Sequence, residues 1–301
     1  MKALYDLPAP AKLNLFLHIT GRRSDGYHLL QSVFMLIDWS DTLHMELRTD
    51  GVVSREDLTT PLPAEDLIVR AARALQAHAG TDLGVHIGVE KRVPAQAGMG
   101  GGSSDAATCL LALNRLWRLN LPLSVLAKIG LSLGADVPFF LGGHNAWVEG
   151  IGESITPITL PPARFVVVKP DAGLDTALIF SAPDLERSTP AAIISGFAAH
   201  SVADVEGIAK ATSVKEAYSF GHNDLQPVAQ RLCPAVTDAI EWLDRRGLKA
   251  RMTGSGSAVF SVLPITPDSS SDVLLAEAPR GWQVRKCSNL AVHPLAGWAF
   301  Q

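Results

Sequence analysis

Between a run that alternates like a strand (Val85, Ile87, Val89) and a run spaced like a helix (Ala106–Trp117, with Leu110, Leu113 and Trp117 on one stripe) lies Pro94-Ala95-Gln96-Ala97-Gly98-Met99-Gly100-Gly101-Gly102-Ser103-Ser104-Asp105. Glycines at 98, 100, 101 and 102 let backbone N–H groups approach an anion closely, and the helix that follows adds partial positive charge at its start. Ser103 and Ser104 would add hydroxyl donors or a metal ligand. A loop whose Ser-Ser-Asp caps the next helix has the same composition, so the segment alone leaves a phosphate cradle and a capped loop both open. Spacing excludes two familiar alternatives. A Walker A loop needs Gly-Lys-Ser/Thr, and a dinucleotide fingerprint needs a glycine where Ser103 stands.

Net charge restricts how such a loop would be used. Lys plus Arg number 26 against 30 Asp plus Glu, a formal charge of −4. That balance argues against general nucleic-acid binding, which shows as a basic stripe, and any anionic ligand must be drawn by local groups. A 301-residue chain that is 47% hydrophobic has ample core for one large or two ordinary domains. No apolar window of about 18 residues suggests a membrane span. Met1–Pro8 holds no apolar run of signal-peptide length, so a cytoplasmic protein is expected. Cys109, Cys233 and Cys287 are scattered and odd in number, without metal spacing, and read as buried free thiols.

Lys12–Ile19 alternates strictly: Leu13, Leu15, Leu17 and Ile19 face the core, while Lys12, Asn14, Phe16 and His18 share the opposite face. Asp25-Gly26 marks a turn. Ser32–Ile37 and Thr42–Leu47 read as two strands joined through Trp39-Ser40-Asp41. Helices are expected over Asp66–Ala77, Leu123–Leu133, Pro190–Ala199 and Ala235–Leu243. Phe165–Val168 reads as a buried strand, Ala250–Val262 as strand, Gly-Ser turn and strand, and Pro267–Ser271 as a polar surface loop. The three prolines of Thr156–Pro162 place a domain boundary there, giving 1–160 and 161–301. Strands and helices mix without regular βαβ alternation, so the class is α+β.

Few other groups carry chemistry. Lys12 reads alone as a solvated lysine, and Asn14 beside it suggests a polar pair lining a cleft. Asp136, before Val137-Pro138, reads as a helix N-cap or as a carboxylate that accepts a hydroxyl proton; both can hold. Tyr27-His28 is either surface or a stacking ring with a hydrogen-bonding imidazole for a flat ligand. Thr253-Gly254-Ser255-Gly256-Ser257 is either a hairpin turn or the closure of the phosphate site.

Pro94–Asp105 resembles the phosphate-loop motif of the GHMP small-molecule kinases. Pro10-Ala11-Lys12-Leu13-Asn14-Leu15, Gly26-Tyr27-His28, Gly134-Ala135-Asp136-Val137-Pro138 and Asn223-Asp224-Leu225 extend that resemblance across most of the chain. They point to the branch whose acceptor is 4-diphosphocytidyl-2-C-methyl-D-erythritol, in non-mevalonate isoprenoid synthesis. The resemblance implies an N-terminal domain like the second domain of ribosomal protein S5 and a ferredoxin-like C-terminal domain. It also implies ATP-dependent phosphorylation of the acceptor's 2-hydroxyl, with Mg²⁺ on the phosphates; no residue is singled out for the metal. Asp136 matches the catalytic base, Lys12 the catalytic lysine, and Pro94–Ser104 the ATP loop. Asn14, Tyr27, His28 and Thr176 match substrate contacts, His28 at the cytosine. In three places the chain departs from the pattern: Met99 replaces a usual Leu, Ala95-Gln96-Ala97 is poorer in glycine, and Asp66 replaces an Asn near the adenine. Two other readings are a homoserine- or mevalonate-type kinase, which would have no cytosine for Tyr27-His28, and a nucleotide-binding module without catalysis, in which Lys12 and Asp136 would lie far apart.

Overall fold

The structure, a computed structural model, describes residues 1–194, 218–264 and 277–300. Its spine is an antiparallel ribbon of two long strands, β1 (Ala3–Arg22) and β2 (His28–Arg48), turning at Asp25-Gly26. Among the named strands β1 pairs only with β2, which leaves it room for Pro8 and Pro10, since proline cannot donate to a second ladder.

The two strands expected over 32–37 and 42–47 are one continuous strand. Its two halves read as separate because β2 changes its second partner midway. Leu30–Phe34 pairs with β5 (Ala146–Gly150), and Thr42–Arg48 pairs with β4 (Gly84–Glu90). The polar residue at the changeover, Asp41, is fully buried and accepts the backbone N–H groups of Arg92 and Val93 at 2.5 and 2.8 Å. β3 (Val53–Asp57) lies parallel to β4, and β6 (Ser154–Pro157) is antiparallel to β5.

Helices α1 (Leu67–Ala79), α2 (Gly101–Leu116), α3 (Leu123–Leu133) and α4 (Val137–Gly142) share one core with this sheet. Leu36, Leu43, Val85 and Ile87 meet Ala106, Leu110 and Leu113 there. Each fully buried Leu or Ile contributes about 1.5–3 kcal/mol through removal from water. The helix expected from Ala106 begins five residues earlier, at Gly101, because Gly100 adopts the left-handed conformation (φ 70°) that turns the chain straight into it. Ser103 and Ser104 therefore lie inside its first turn, and no side chain caps it.

Between Pro157 and Arg164 the chain crosses to a second sheet: β7 (Arg164–Lys169), β8 (Arg251–Met252), β9 (Val259–Val262) and β10 (Gln283–Ser288), in the order β10-β7-β9-β8. This antiparallel 4-1-3-2 order is that of a ferredoxin-like sheet. Helices α5 (Thr176–Ser181), α6 (Gln226–Leu232) and α7 (Pro234–Asp244) accompany it. The expected helix over 190–199 lies half outside the described residues, at 195–199, as does all of the loop over 267–271; residues 190–193 are not helical and Ile194 is.

The exposed face expected on β1 is not exposed. Lys12, Asn14, Phe16 and His18 are buried along with Leu13, Leu15, Leu17 and Ile19. Leu13, Leu15 and Phe16 share a cluster with Phe165, Val167 and Phe260 of the second sheet, so β1 lies between two layers. The chain past Ser288 returns to the first sheet: Leu290 N–H donates to Leu36 O at 2.9 Å, and Asn145 bridges both, accepting from Leu36 N and donating to Leu290 O. Cys109, Cys233 and Cys287 are buried and free. Among the described residues, no helix is long and apolar enough to cross a membrane.

Candidate active site

The glycine-rich loop is clamped from two sides. Lys12 N–H on β1 donates to Met99 O at 3.0 Å, and Ser257 and Ala258 donate to Gln96 O and Ala97 O at 3.1 and 3.3 Å. The Thr253–Ser257 turn thus lies directly on the loop. At Gly98 (φ 70°) a Cβ would stand 2.2 Å from Thr253 O; at Gly254 (φ 53°) one would stand 2.6 Å from Gly98 O. Interlocked glycines bring the two turns together, with α2 starting at the contact. Helix geometry leaves the Gly101–Ser103 amides without intrahelical acceptors, as an anion site requires. Gly98→Ala is expected to cost about 2–4 kcal/mol, from positive φ and overlap with backbone. Thermal melting checks this, and an unchanged melting temperature would show that the turns do not touch in solution.

Above the loop, Lys12 is 4% exposed and its Nζ lies 3.6 Å from Asp136 Oδ2. The same amine donates to Asn14 Oδ1 and sits 4.5 Å from the centre of the Phe34 ring. Asn14 is held in turn: its amide donates to Ser32 Oγ at 2.8 Å, and its N–H donates to Thr253 Oγ1 at 2.9 Å. Burial pulls the Lys12 ammonium below its ordinary pKa, opposed by Asp136. Asp136 precedes α4 but adopts helical φ and ψ and makes no side-chain cap bond. The capping reading is therefore not realised, and the carboxylate, its side chain 31% exposed, is left to Lys12 and the cleft.

These groups line a cleft of about 570 Å³ together with Pro94–Gly102, Thr176, Phe180 and Ser255. Thr176 Oγ1 and Ser255 Oγ are 2.7 Å apart, joining α5 to the Gly-Ser turn. Ser103 and Ser104 do not line it. Ser104 is buried and donates its hydroxyl to Pro10 O at 2.7 Å, because the early helix start turns it into the core. Tyr27 and His28 are also outside the lining; Tyr27 is 62% exposed, and the His28 ring packs 5.2 Å from Phe180 at the cleft's edge. The Asn223-Asp224 pair is structural: Asn223 donates to Met252 O and Gly254 O at 2.9 and 2.8 Å, and Asp224 accepts from Ile19 N at 2.6 Å.

One cluster escaped the sequence reading. Lys91 Nζ donates to both Asp41 Oδ2 and Asp105 Oδ2, and the three link β2, the entry to the loop and α2. Burial, reinforced by the Asp41 carboxylate and opposed by Lys91, pushes Asp105 up to about 8. A lysine after a strand and two ordinary aspartates give no local signal of this. Asp66 caps α1 by accepting from Val69 N at 3.1 Å and pairs with Arg55 Nη1 at 2.6 Å, so its carboxylate is already engaged. Three aspartates (66, 105, 136) and two lysines (12, 91) line the cleft. An anion bound there would have to be drawn largely by backbone amides.

Comparison with known proteins agrees with this geometry. Residues 66–144 match the family model for the GHMP kinases N terminal domain, and residues 208–278 that for GHMP kinases C terminal. The chain is 74% identical over 299 residues to 4-diphosphocytidyl-2-C-methyl-D-erythritol kinase of Variovorax paradoxus (strain S110), covering 99% of this chain and 100% of that one. It is 67% identical to the protein of that name in Albidiferax ferrireducens, covering 99% and 96%. A crystal structure of 4-(cytidine 5'-diphospho)-2C-methyl-D-erythritol kinase superposes with a TM-score of 0.72 at 34% identity, covering 93% of this chain and 98% of that one. A homoserine kinase from Cytophaga hutchinsonii shares the fold at 13% identity and a TM-score of 0.66, covering 97% and 96%. With two α+β layers, a glycine-rich loop running into a helix start and full-length relatives under one name, the chain belongs to the GHMP kinases, in the family of 4-diphosphocytidyl-2-C-methyl-D-erythritol kinases.

Proposed function

We propose that the protein transfers the γ-phosphoryl group of ATP to the 2-hydroxyl of 4-diphosphocytidyl-2-C-methyl-D-erythritol, giving the 2-phosphate and ADP, in non-mevalonate isoprenoid synthesis. The observation that carries the reading is the Lys12–Asp136 pair, 3.6 Å apart over the loop. A module that only binds nucleotide has no need of a buried amine beside a carboxylate that faces the cleft. The names of the full-length relatives favour this acceptor over that of a homoserine kinase, with which only the fold is shared.

Phosphoryl transfer asks the protein mainly to position and to stabilise charge. In the proposed mechanism, the amides of Gly98–Ser103 and the α2 N-terminus hold the phosphates. Asp136 takes the hydroxyl proton as the oxygen attacks phosphorus, and the bond to ADP breaks in line. Lys12, braced by Asn14, orients Asp136 and the hydroxyl. Thr176 and Asn14 border the acceptor, with His28 at its base. Mg²⁺ belongs to the same proposal; when bound it neutralises phosphate charge. Among the described residues no group of three or more His, Cys, Asp or Glu forms a metal cage. In this proposal the phosphates hold the cation, and no side chain is assigned to it.

The proposal includes a cytoplasmic location and a division near residue 160, with the tail past Ser288 returned to the first layer. Incubation with ATP and the cytidine diphosphate acceptor should add one phosphate to the acceptor, read by product mass. An acceptor of unchanged mass overturns the reading.

A further inference from the structure

The buried amine of Lys12 has a neighbour that the mechanism above does not use. Phe34 on β2 pairs with Asn14 across the ribbon, lines the cleft and is almost fully buried. Lys12 Nζ stands over its ring, 4.5 Å from the centre. A cation within about 6 Å of an aromatic centre, on the ring's face, is attracted by the ring's quadrupole, and more strongly where water is excluded. Burial works against the Lys12 ammonium, and the charged group that opposes it is Asp136, 3.6 Å away. The other elements packed on the amine offer no charge: β1 brings the Asn14 oxygen, the loop brings Gly100, and β2 brings the ring.

The ring is fixed from the side of α4. Phe139 meets it edge to face at 5.2 Å and 86°, and Phe139 in turn meets Phe140 at 5.0 Å and 67°. Phe140 reaches the glycine-rich loop, since a Cβ on Gly100 would stand 3.0 Å from its ring and 3.3 Å from Lys12 Cγ. α4 starts at Val137, one residue after Asp136. Three rings thus tie the surface on which Lys12 rests to the helix that follows Asp136 and to the loop.

We propose that Phe34 is a positioning residue whose ring face holds the Lys12 amine, in its charged form, beside Asp136. An aliphatic side chain of similar bulk would pack there and leave the charge unsupported. The role in turnover rests on the reading that Lys12 and Asp136 carry out the transfer. Phe34 acts through Lys12 and does not touch the reacting atoms.

The test replaces Phe34 in the full chain with mono-, di- and trifluorophenylalanine. These keep the ring's shape and weaken its quadrupole step by step, so the fold should survive where Phe34→Leu, which also strips Phe139 of its partner, could melt early. In the ligand-free protein with carbon-13-labelled lysine, the Lys12 signal, assigned by its loss in Lys12→Met, should titrate at progressively lower pH along the series. Complete loss of the contact should lower the midpoint by about 0.4–1.5 pH units. The alkaline limb of the kcat profile should move with it, lowering kcat on that limb by roughly 2.5- to 30-fold. A Lys12 midpoint that ignores fluorination overturns the proposal whatever the activity. A midpoint that moves while the kcat limb stays overturns the role in turnover. A parent that phosphorylates no acceptor overturns the reading on which that role rests, while the titration still reports on the contact.

Discussion

Asp136→Asn should lower turnover by about 10²–10⁴-fold, the range a positioned general base contributes, while ATP binding stays close to that of the parent. Asparagine has the same shape and cannot take a proton. The carboxylate makes no cap bond to α4, so the substitution removes chemistry without removing a structural contact. Lys12 keeps its bond to Asn14, so the amine does not collapse into the cleft. The glycine-rich loop touches other residues, Met99 to Lys12 and Gln96 to Ser257, and should be undisturbed. Steady-state kinetics with both substrates separates the effects. A variant with near-normal kcat removes Asp136 from the base role, and one that loses ATP binding shows the residue to be structural.

Lys91→Met should destabilise the fold by about 3–5 kcal/mol, the cost of breaking a buried ion pair from one side. The methionine fills the space of the lysine stem but leaves Asp41 and Asp105, both almost fully buried, facing each other without a cation. The loss should deepen with pH. Asp105 in the folded protein lies well above its ordinary value of 3.8, at about 8. Between those values the folded state holds more protons than the unfolded one, so this group's contribution to stability falls as pH rises. Removing Lys91 takes away what opposes that shift, so the decline continues to pH values above 8, where in the parent it levels off. Thermal melting from pH 5 to 9 should show it, and Asp105→Asn in the Lys91→Met background should flatten it. A pH-independent loss would mean that Lys91 contributes packing, not charge.

Local rules made the phosphate loop, the flanking strand and helix, and most core elements legible, because glycine spacing and periodicity are written over a few residues. They failed where tertiary contacts decide. β2 looked broken because its second partner changes along its length. β1 looked half exposed because its polar side is covered by residues far along the chain: Lys12 faces Asp136, and the Asn14 N–H is held by Thr253. Lys12 and Asp136 carry no shared local pattern, and only the family resemblance joined them. Asp41, Lys91 and Asp105 could not be found, since an ion cluster built from three separate elements has no spacing to read.

The returning tail bears on how the protein is made. Asn145 is satisfied only when Leu290 arrives, and Leu123 N–H finds its acceptor at Phe300 O, 2.7 Å away. The first layer is thus the first to leave the ribosome and the last to be finished. At ordinary synthesis rates the nascent chain waits on the order of 10 s for its closing segment. Over that interval the sheet edge and the helix start beneath the tail are bare, the state in which a chaperone would meet this chain.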